Sequence, residues 1–178
     1  MLITVSGPPG SGKTSVARIL ASRLSIDMIS GGSIFREIAR EMKVDLLSLN
    51  EMAEENVNID SLVDRKLIEI AKNRKNIVVE SHLAGWILKE FSDYSIFLWA
   101  PLRERTSRIA RRDNLSYERA MEEVMKREQS HFVRFWKYYG IDITDYSVFD
   151  LVLNTDKMSA EDVANVVLTV LRYRESKG

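Results

Sequence analysis

Short, nearly unbroken apolar runs alternate along the chain with longer stretches in which apolar residues return every three or four positions. Leu2–Ser6 is such a run, closed by Gly7-Pro8-Pro9-Gly10, and reads as a buried strand followed by a tight loop. Beyond it Val16, Ile19, Leu20 and Leu24 recur at helical spacing, and Asp27–Ser30 reads as a second short strand ending at Gly31-Gly32. Ser33–Met42, Leu46–Glu55 and Asp60–Asn73 predict three helices, with Asp60 as the N-cap ahead of Leu62, Val63, Leu67, Ile68 and Ala71. Ile77-Val78-Val79, ending in Glu80, and Ser95–Trp99, ending in Ala100-Pro101, are almost wholly apolar, as strands covered on both faces must be.

From Leu102 to Tyr139 the pattern is helical but broken near Asp113-Asn114, where Ser116 can cap a second long helix that stops at Gly140. Met125, Phe132, Val133, Phe135 and Trp136 on that helix are expected to be core rather than a platform for stacking bases. Leu151-Val152-Leu153 reads as a last strand, and Ser159 with Asp162 forms a capping box opening a terminal helix that carries Val163, Val166, Val167, Val170 and Leu171. The alternation predicts a single α/β domain built on a five-stranded parallel sheet covered by helices. Such sheets bind ligands beyond the carboxyl ends of their strands, so the loops after Ser6, Ser30, Glu80 and Trp99 are expected to line the site.

Composition narrows the chemistry. With 178 residues, 45% hydrophobic and 29% charged, the chain has the make-up of an ordinary globular domain. The absence of cysteine removes disulfides, thiolate nucleophiles and Cys-ligated metal centres, leaving oxygen or histidine ligation. Met1–Val5 lacks the charged start of a signal peptide, and no apolar stretch approaches the ~20 residues needed to span a bilayer, so a cytoplasmic protein without a membrane partner is expected. The net charge is zero, yet Pro101–Lys137 gathers ten Lys/Arg against six Asp/Glu. That local excess suits a small polyanion such as a nucleotide better than a nucleic acid; its other reading is a solvated helix face.

Gly7-Pro8-Pro9-Gly10-Ser11-Gly12-Lys13-Thr14 matches G-x-x-x-x-G-K-[S/T] at every fixed position, directly after a strand and opening a helix. Its glycines let the backbone curl so that successive N–H groups point inward, and the helix N-terminus adds its dipole. Lys13 is then the ammonium that reaches the β- and γ-phosphates, and the Thr14 hydroxyl a ligand of Mg²⁺. Glu80, at a strand end beside the loop, is a second candidate for the metal, with local pairing as the alternative. ATP and Mg²⁺ are thus the expected cofactors. The loop is silent on the phosphoryl acceptor. The guanine-reading Asn-Lys-x-Asp stretch of GTPases does not occur in the chain.

The sequence resembles the nucleoside monophosphate kinases, and among them the compact archaeal-type cytidylate kinases. The likeness covers nearly the whole chain. It rests on residues 6–14, Ser30-Gly31-Gly32-Ser33-Ile34-Phe35-Arg36, Asp60 with Asp64-Arg65, Leu83-Ala84-Gly85-Trp86, Arg108 with Arg111-Arg112, and Tyr139-Gly140-Ile141-Asp142. The resemblance implies a segment for the acceptor monophosphate over about residues 31–74 and a lid over about 103–137. It puts Ser15 and Arg108 with the loop on the ATP side. Arg36, helped by Ser33, would clamp the acceptor phosphate through the paired N–H bonds of a guanidinium; a solvated arginine is the alternative. Asp60, Asp64 and Arg65 would read a cytosine base, against capping or intrahelical roles. Gly85 and His82 complete that side. Many relatives carry an arginine where this chain has His82, preceded by Ser81 instead of glycine, so a packing histidine stands beside nucleotide contact. Arg112, Arg127 and Arg134 would converge on the transferring phosphoryl group. A monomer is expected. The rival readings are the same fold acting on AMP, dephospho-coenzyme A, shikimate or a small alcohol, and a slow ATPase that works through partners and exposes an apolar patch.

Overall fold

A computed structural model describes residues 1–45, 48–49, 52–53 and 57–176, the side chains of 57, 58, 60 and 175 excepted. The strands are β1 (Leu2–Ser6), β2 (Asp27–Ser30), β3 (Ile77–Glu80), β4 (Tyr94–Trp99) and β5 (Leu151–Asn154). Among the described residues the helices are α1 (Lys13–Leu24), α2 (Gly31–Met42), α3 (Val57–Asn73), α4 (Ala84–Ile87), α5 (Leu102–Asp113), α6 (Tyr117–Tyr139) and α7 (Ala160–Glu175). All five strands are parallel, in the order β2-β3-β1-β4-β5.

The expected sheet is therefore present, and its apolar strands divide their residues between two covered faces. Ile3, Val5, Val78, Ile96 and Leu98 pack against α1 and α7 through Val16, Leu20, Val163, Val167 and Leu171. Leu2, Ile77 and Val79 face the other way, onto Ile34 and Ile38 of α2, Leu67 and Ala71 of α3, and Ala84 and Leu88. Alternation along each strand thus feeds two cores, which is why β1 and β3 are buried throughout. A smaller cluster of Ile109, Ala120 and Val124 joins α5 to the first turns of α6. The register sets Val5 and Ser30 on either side of Glu80, so the carboxyl ends of the three strands lie level.

Several boundaries differ from expectation. Helix α2 starts at Gly31, two residues before Ser33. The Ser30 hydroxyl accepts from the Ser33 amide at 3.0 Å, while the Ser33 hydroxyl donates to the Ser30 carbonyl at 2.6 Å. Helix α3 begins at Val57, which places Asp60 inside it instead of at its N-cap; the Asp60 side chain lies outside the described residues, as does most of the helix expected over Leu46–Glu55. The α5–α6 joint, the Ser116 cap and the Ser159–Asp162 capping box occur as expected.

The expectation that the apolar residues of the long helix are core holds for Phe135 alone. Met125, Phe132, Val133 and Trp136 are 54–62% exposed. Periodicity identified an apolar flank of α6, but that flank is exposed, and Phe135 alone of the five turns inward, against the His82 and His131 rings.

Gly85, expected on the acceptor side, is tightly enclosed. Its amide donates to the Ser6 hydroxyl at 2.8 Å, and a Cβ added to it would lie 2.1 Å from Cε1 of Phe149. Glycine is required there by packing: Phe149 belongs to a ring cluster with Trp86 and Phe97 that closes the loop after β3 against β4. Gly85→Ala should therefore lower stability by about 1–3 kcal/mol, the cost of overpacking, measured as a fall in the urea midpoint at unchanged slope. In a Phe149→Leu background the added methyl should cost less, because the ring it strikes is gone.

Candidate active site

The loop between β1 and α1 keeps the left-handed backbone that its glycines permit, with φ of 80° at Gly10 and 90° at Gly12. Helices α2, α6 and α7 have their first amides capped by the serine hydroxyls of Ser30, Ser116 and Ser159. Helix α1 has Gly12 at its N-cap and, like α4 and α5, no side-chain cap. Its leading N–H groups are left pointing into the loop with the positive end of the helix dipole, which is an anion site by construction.

Three side chains meet at this point. The Thr14 hydroxyl donates to Oε2 of Glu80 at 3.2 Å, and the Lys13 ammonium lies 3.9 Å from Oε1 of the same carboxylate and 3.4 Å from the Pro8 carbonyl oxygen. Glu80 is 5% exposed, because β3 runs between β1 and β2 and delivers its last residue into the sheet's centre. Burial depresses the Lys13 pKa; Glu80 opposes the shift, while Arg127, Arg112 and Arg105 reinforce it. Arg112 and Arg127 thus lie within electrostatic reach of Lys13. Arg112 is held in a two-pronged pair with the Asp113 carboxylate at 2.6 and 2.7 Å.

Arg105, which the sequence did not single out, is the buried cation of the site. Its Nε donates to the Ala100 carbonyl at 2.8 Å and its Nη1 to the Pro9 carbonyl at 3.2 Å, while it pairs with Glu128 of α6. One guanidinium therefore joins the end of β4, the phosphate loop and the long helix. The signal lay in the pattern: Arg105 shares the inward face of α5 with Thr106 and Ile109, an unusual place for a cation. Arg108, expected against ATP, reaches the loop but gives its donors to protein: Glu104 at 2.8 Å, the Thr155 hydroxyl at 2.9 Å and the Thr155 carbonyl at 2.7 Å. Thr155 in turn donates to the Ser11 carbonyl at 3.0 Å. It follows β5 on the same sheet edge as the other site loops and went unrecognised because a lone threonine carries no motif.

His82 does not stand alone. Its ring centroid lies 4.5 Å from that of His131, edge-on, and 5.3 Å from Phe135, and His131 stacks on Phe135 at 5.1 Å. These are the chain's two histidines. Burial, then His131 and nearby cations, push His82 well below the usual imidazole range. His131 is pushed down to about 3 by burial first, with Arg134, Arg127 and Lys13 adding to it. Neutral rings are what such a cationic setting tolerates.

On the acceptor side Arg36 extends back along α2, its guanidinium within 3.7 Å of the space above Gly32 and so near the end of β2. Arg65 is engaged inside its own helix, donating to the Ser61 carbonyl at 3.1 Å and the Ser61 hydroxyl at 2.8 Å. Asp64 is half-buried on the same helix.

A parallel sheet carrying this loop, a lysine, a threonine and a strand-end carboxylate defines a P-loop phosphotransferase. Residues 2–157 match the cytidylate kinase-like family, and the chain belongs to that family. It is 51% identical over 171 residues to a cytidylate kinase from Saccharolobus islandicus, covering 96% of this chain and 90% of that one. It is 47% identical over 177 residues to the cytidylate kinase of Sulfurisphaera tokodaii, covering 99% and 98%. Among solved structures, a shikimate kinase from Acinetobacter baumannii in complex with shikimate superposes with a TM-score of 0.65 at 21% identity, covering 97% of this chain and 93% of that one. That likeness is one of fold. The protein is a kinase with ATP as its phosphoryl donor, and among the described residues no helix is long and apolar enough to cross a membrane.

The buried rings make stability depend on pH. His131 has a folded pKa of about 3, below the ordinary 6.5, so the unfolded chain takes up a proton first. The stability contributed by the neutral ring is complete above pH 6.5 and is lost as pH falls from there towards 3, at up to about 1.4 kcal/mol per pH unit. In the nucleotide-free protein, His131→Phe should flatten the urea-derived stability curve between pH 6.5 and 5.

Proposed function

We propose that the protein transfers the γ-phosphoryl group of Mg·ATP to CMP or dCMP, forming the corresponding diphosphate. The Thr14–Glu80–Lys13 constellation on the uncapped end of α1 carries the catalytic half of this reading. The acceptor half is supported by relatives named cytidylate kinase at 47–51% identity across nearly the full chain.

Thr14 and Glu80 suit Mg²⁺, since both present oxygen and lie 3.2 Å apart. No group of three metal-ligating carboxylates or histidines occurs among the described residues, so phosphate oxygens and water would supply the other positions. When bound, the ion neutralises the β- and γ-oxygens. The loop amides orient the polyphosphate, and Lys13 exchanges its contacts with Glu80 and Pro8 for phosphate oxygens. Arg112, Arg127 and Arg134 add positive charge where it develops on the transferring group. The acceptor is an ionised phosphate, so no general base is needed. Arg36 holds it, and Asp64 with Arg65 reads the base once Arg65 leaves Ser61; Asp60 lies a turn earlier on α3. Closure of α5 and α6 excludes water, which matters because an open kinase site hydrolyses ATP.

In a coupled assay across CMP, dCMP, UMP, AMP and shikimate, the cytidine nucleotides should give the highest kcat/KM, and preference for AMP or shikimate would overturn the acceptor assignment. Lys13→Ala should remain folded and lose several orders of magnitude in kcat. A slow ATPase acting through partners is not favoured by the relatives, although α6 has the exposed apolar flank that such a reading expects. It predicts ATP hydrolysis at the same rate with and without any acceptor.

Arg36→Met should raise the KM for CMP by roughly ten- to a hundredfold, the loss of a charge-assisted pair, with little change in the KM for ATP. An equal rise for both substrates would move Arg36 out of the acceptor site.

A further inference from the structure

Helix α6 is unevenly anchored. Its first turns are fixed by Ala120 and Val124, which pack with Ile109 of α5. Past Val124 a single residue of the helix, Phe135, is buried. The Glu128–Arg105 pair near its start ties this second half to the site, and so does the cluster of His131 and Phe135 against His82 further on. One fixed point lets a helix pivot and roll; two fix its rotation.

Arg127, His131 and Arg134 stand four and three residues apart and therefore share a helix face. Arg127 is close enough to Lys13 to depress its pKa, and both arginines act on His131 in the same way. The ring that contacts His82 thus lies between the two cations expected over the phosphates. We propose that His131 is a positioning residue: seated edge-on against His82 and stacked on Phe135, it sets the rotation of α6 that aims Arg127 and Arg134 at the phosphoryl group held over Lys13. The inference rests on the kinase reading for its link to turnover, though not for its link to the helix. A flat, uncharged ring suits the place. An aliphatic side chain would lose the edge and face contacts, worth a fraction of the docking each, and a further cation would be repelled by Lys13, Arg105, Arg127 and Arg134.

The test compares full-length wild type with His131→Ala and His131→Phe, by steady-state kinetics and by hydrogen exchange of the free protein. His131→Ala should lower kcat about tenfold or more, leave the KM values for ATP and CMP within about threefold, and reduce exchange protection over residues 127–139 while β1 is unchanged. His131→Phe, which keeps the ring and drops its nitrogens, should restore both protection and kcat to within about threefold of wild type. If His131→Ala does not fold, His131→Leu replaces it with the same expected losses. Undiminished protection or near-wild-type kcat in the ring-less variant overturns the proposal. So does His131→Phe turning over as slowly as His131→Ala, since that assigns the effect to a ring nitrogen. Exchange is read without substrate, so a failure of CMP as acceptor shows in the wild-type kinetics alone and leaves the positioning result intact.

Discussion

Positive charge crowded around the phosphate loop has to be balanced by something, and carboxylates do it, two of them reaching across from other elements. Glu80 meets Lys13 and Thr14 beneath the phosphate loop, and Glu128 meets Arg105 above it. Both depend on topology. The order β2-β3-β1 brings the end of β3 next to the loop that leaves β1, and the α5–α6 joint returns the long helix over it. An ion pair of this kind, partly desolvated, holds its partners in place chiefly because either charge left alone would be costly. The arriving polyphosphate can take over the role of both carboxylates towards the cations. Binding and reorganisation of the site are then one electrostatic event.

How far the site could be read beforehand depended on whether a residue's role was local. Lys13, Thr14 and the glycines of the loop act through a contiguous backbone conformation, so eight consecutive letters suffice to recognise them. Glu80 was legible one step further out, because the end of an apolar run beside the loop marks the sheet's carboxyl edge. Arg105 reaches Glu128 and Pro9, 23 and 96 positions away, Thr155 reaches Ser11, 144 away, and His131 reaches His82 on another element, and nothing adjacent to them announces the pairing. Arg105 left a trace as a cation on an apolar helix face; Thr155 and His131 left none.

The misread residues follow the same logic. An apolar stripe on α6 was correctly found and wrongly buried, since periodicity reports a face and not what lies against it. For Gly85 the family pattern implies a place at the acceptor, and its surroundings add a steric reason for glycine in Phe149 that no neighbouring letter shows. Asp60 looked like a cap because a polar residue preceded an apolar run, but α3 had already begun a turn earlier. Each error came from a local rule applied where tertiary packing decides.

The placing of apolar residues on α6 bears on how closure responds to temperature. Its outer flank carries Met125, Phe132, Val133 and Trp136, all more than half exposed, while the side towards the loop carries Arg127, Glu128 and His131. Were this helix to swing away, Phe135 would be the main hydrocarbon uncovered beside the two imidazoles, so the heat-capacity change of opening would be modest. Its equilibrium would then shift modestly with warming, and salt would act on it through exposed charges such as Arg127, screened within about 10 Å at 0.1 M ionic strength, more than through the partly buried Arg105–Glu128 pair. A helix docked in this way would answer to ionic strength through its surface arginine and to heat through one buried ring.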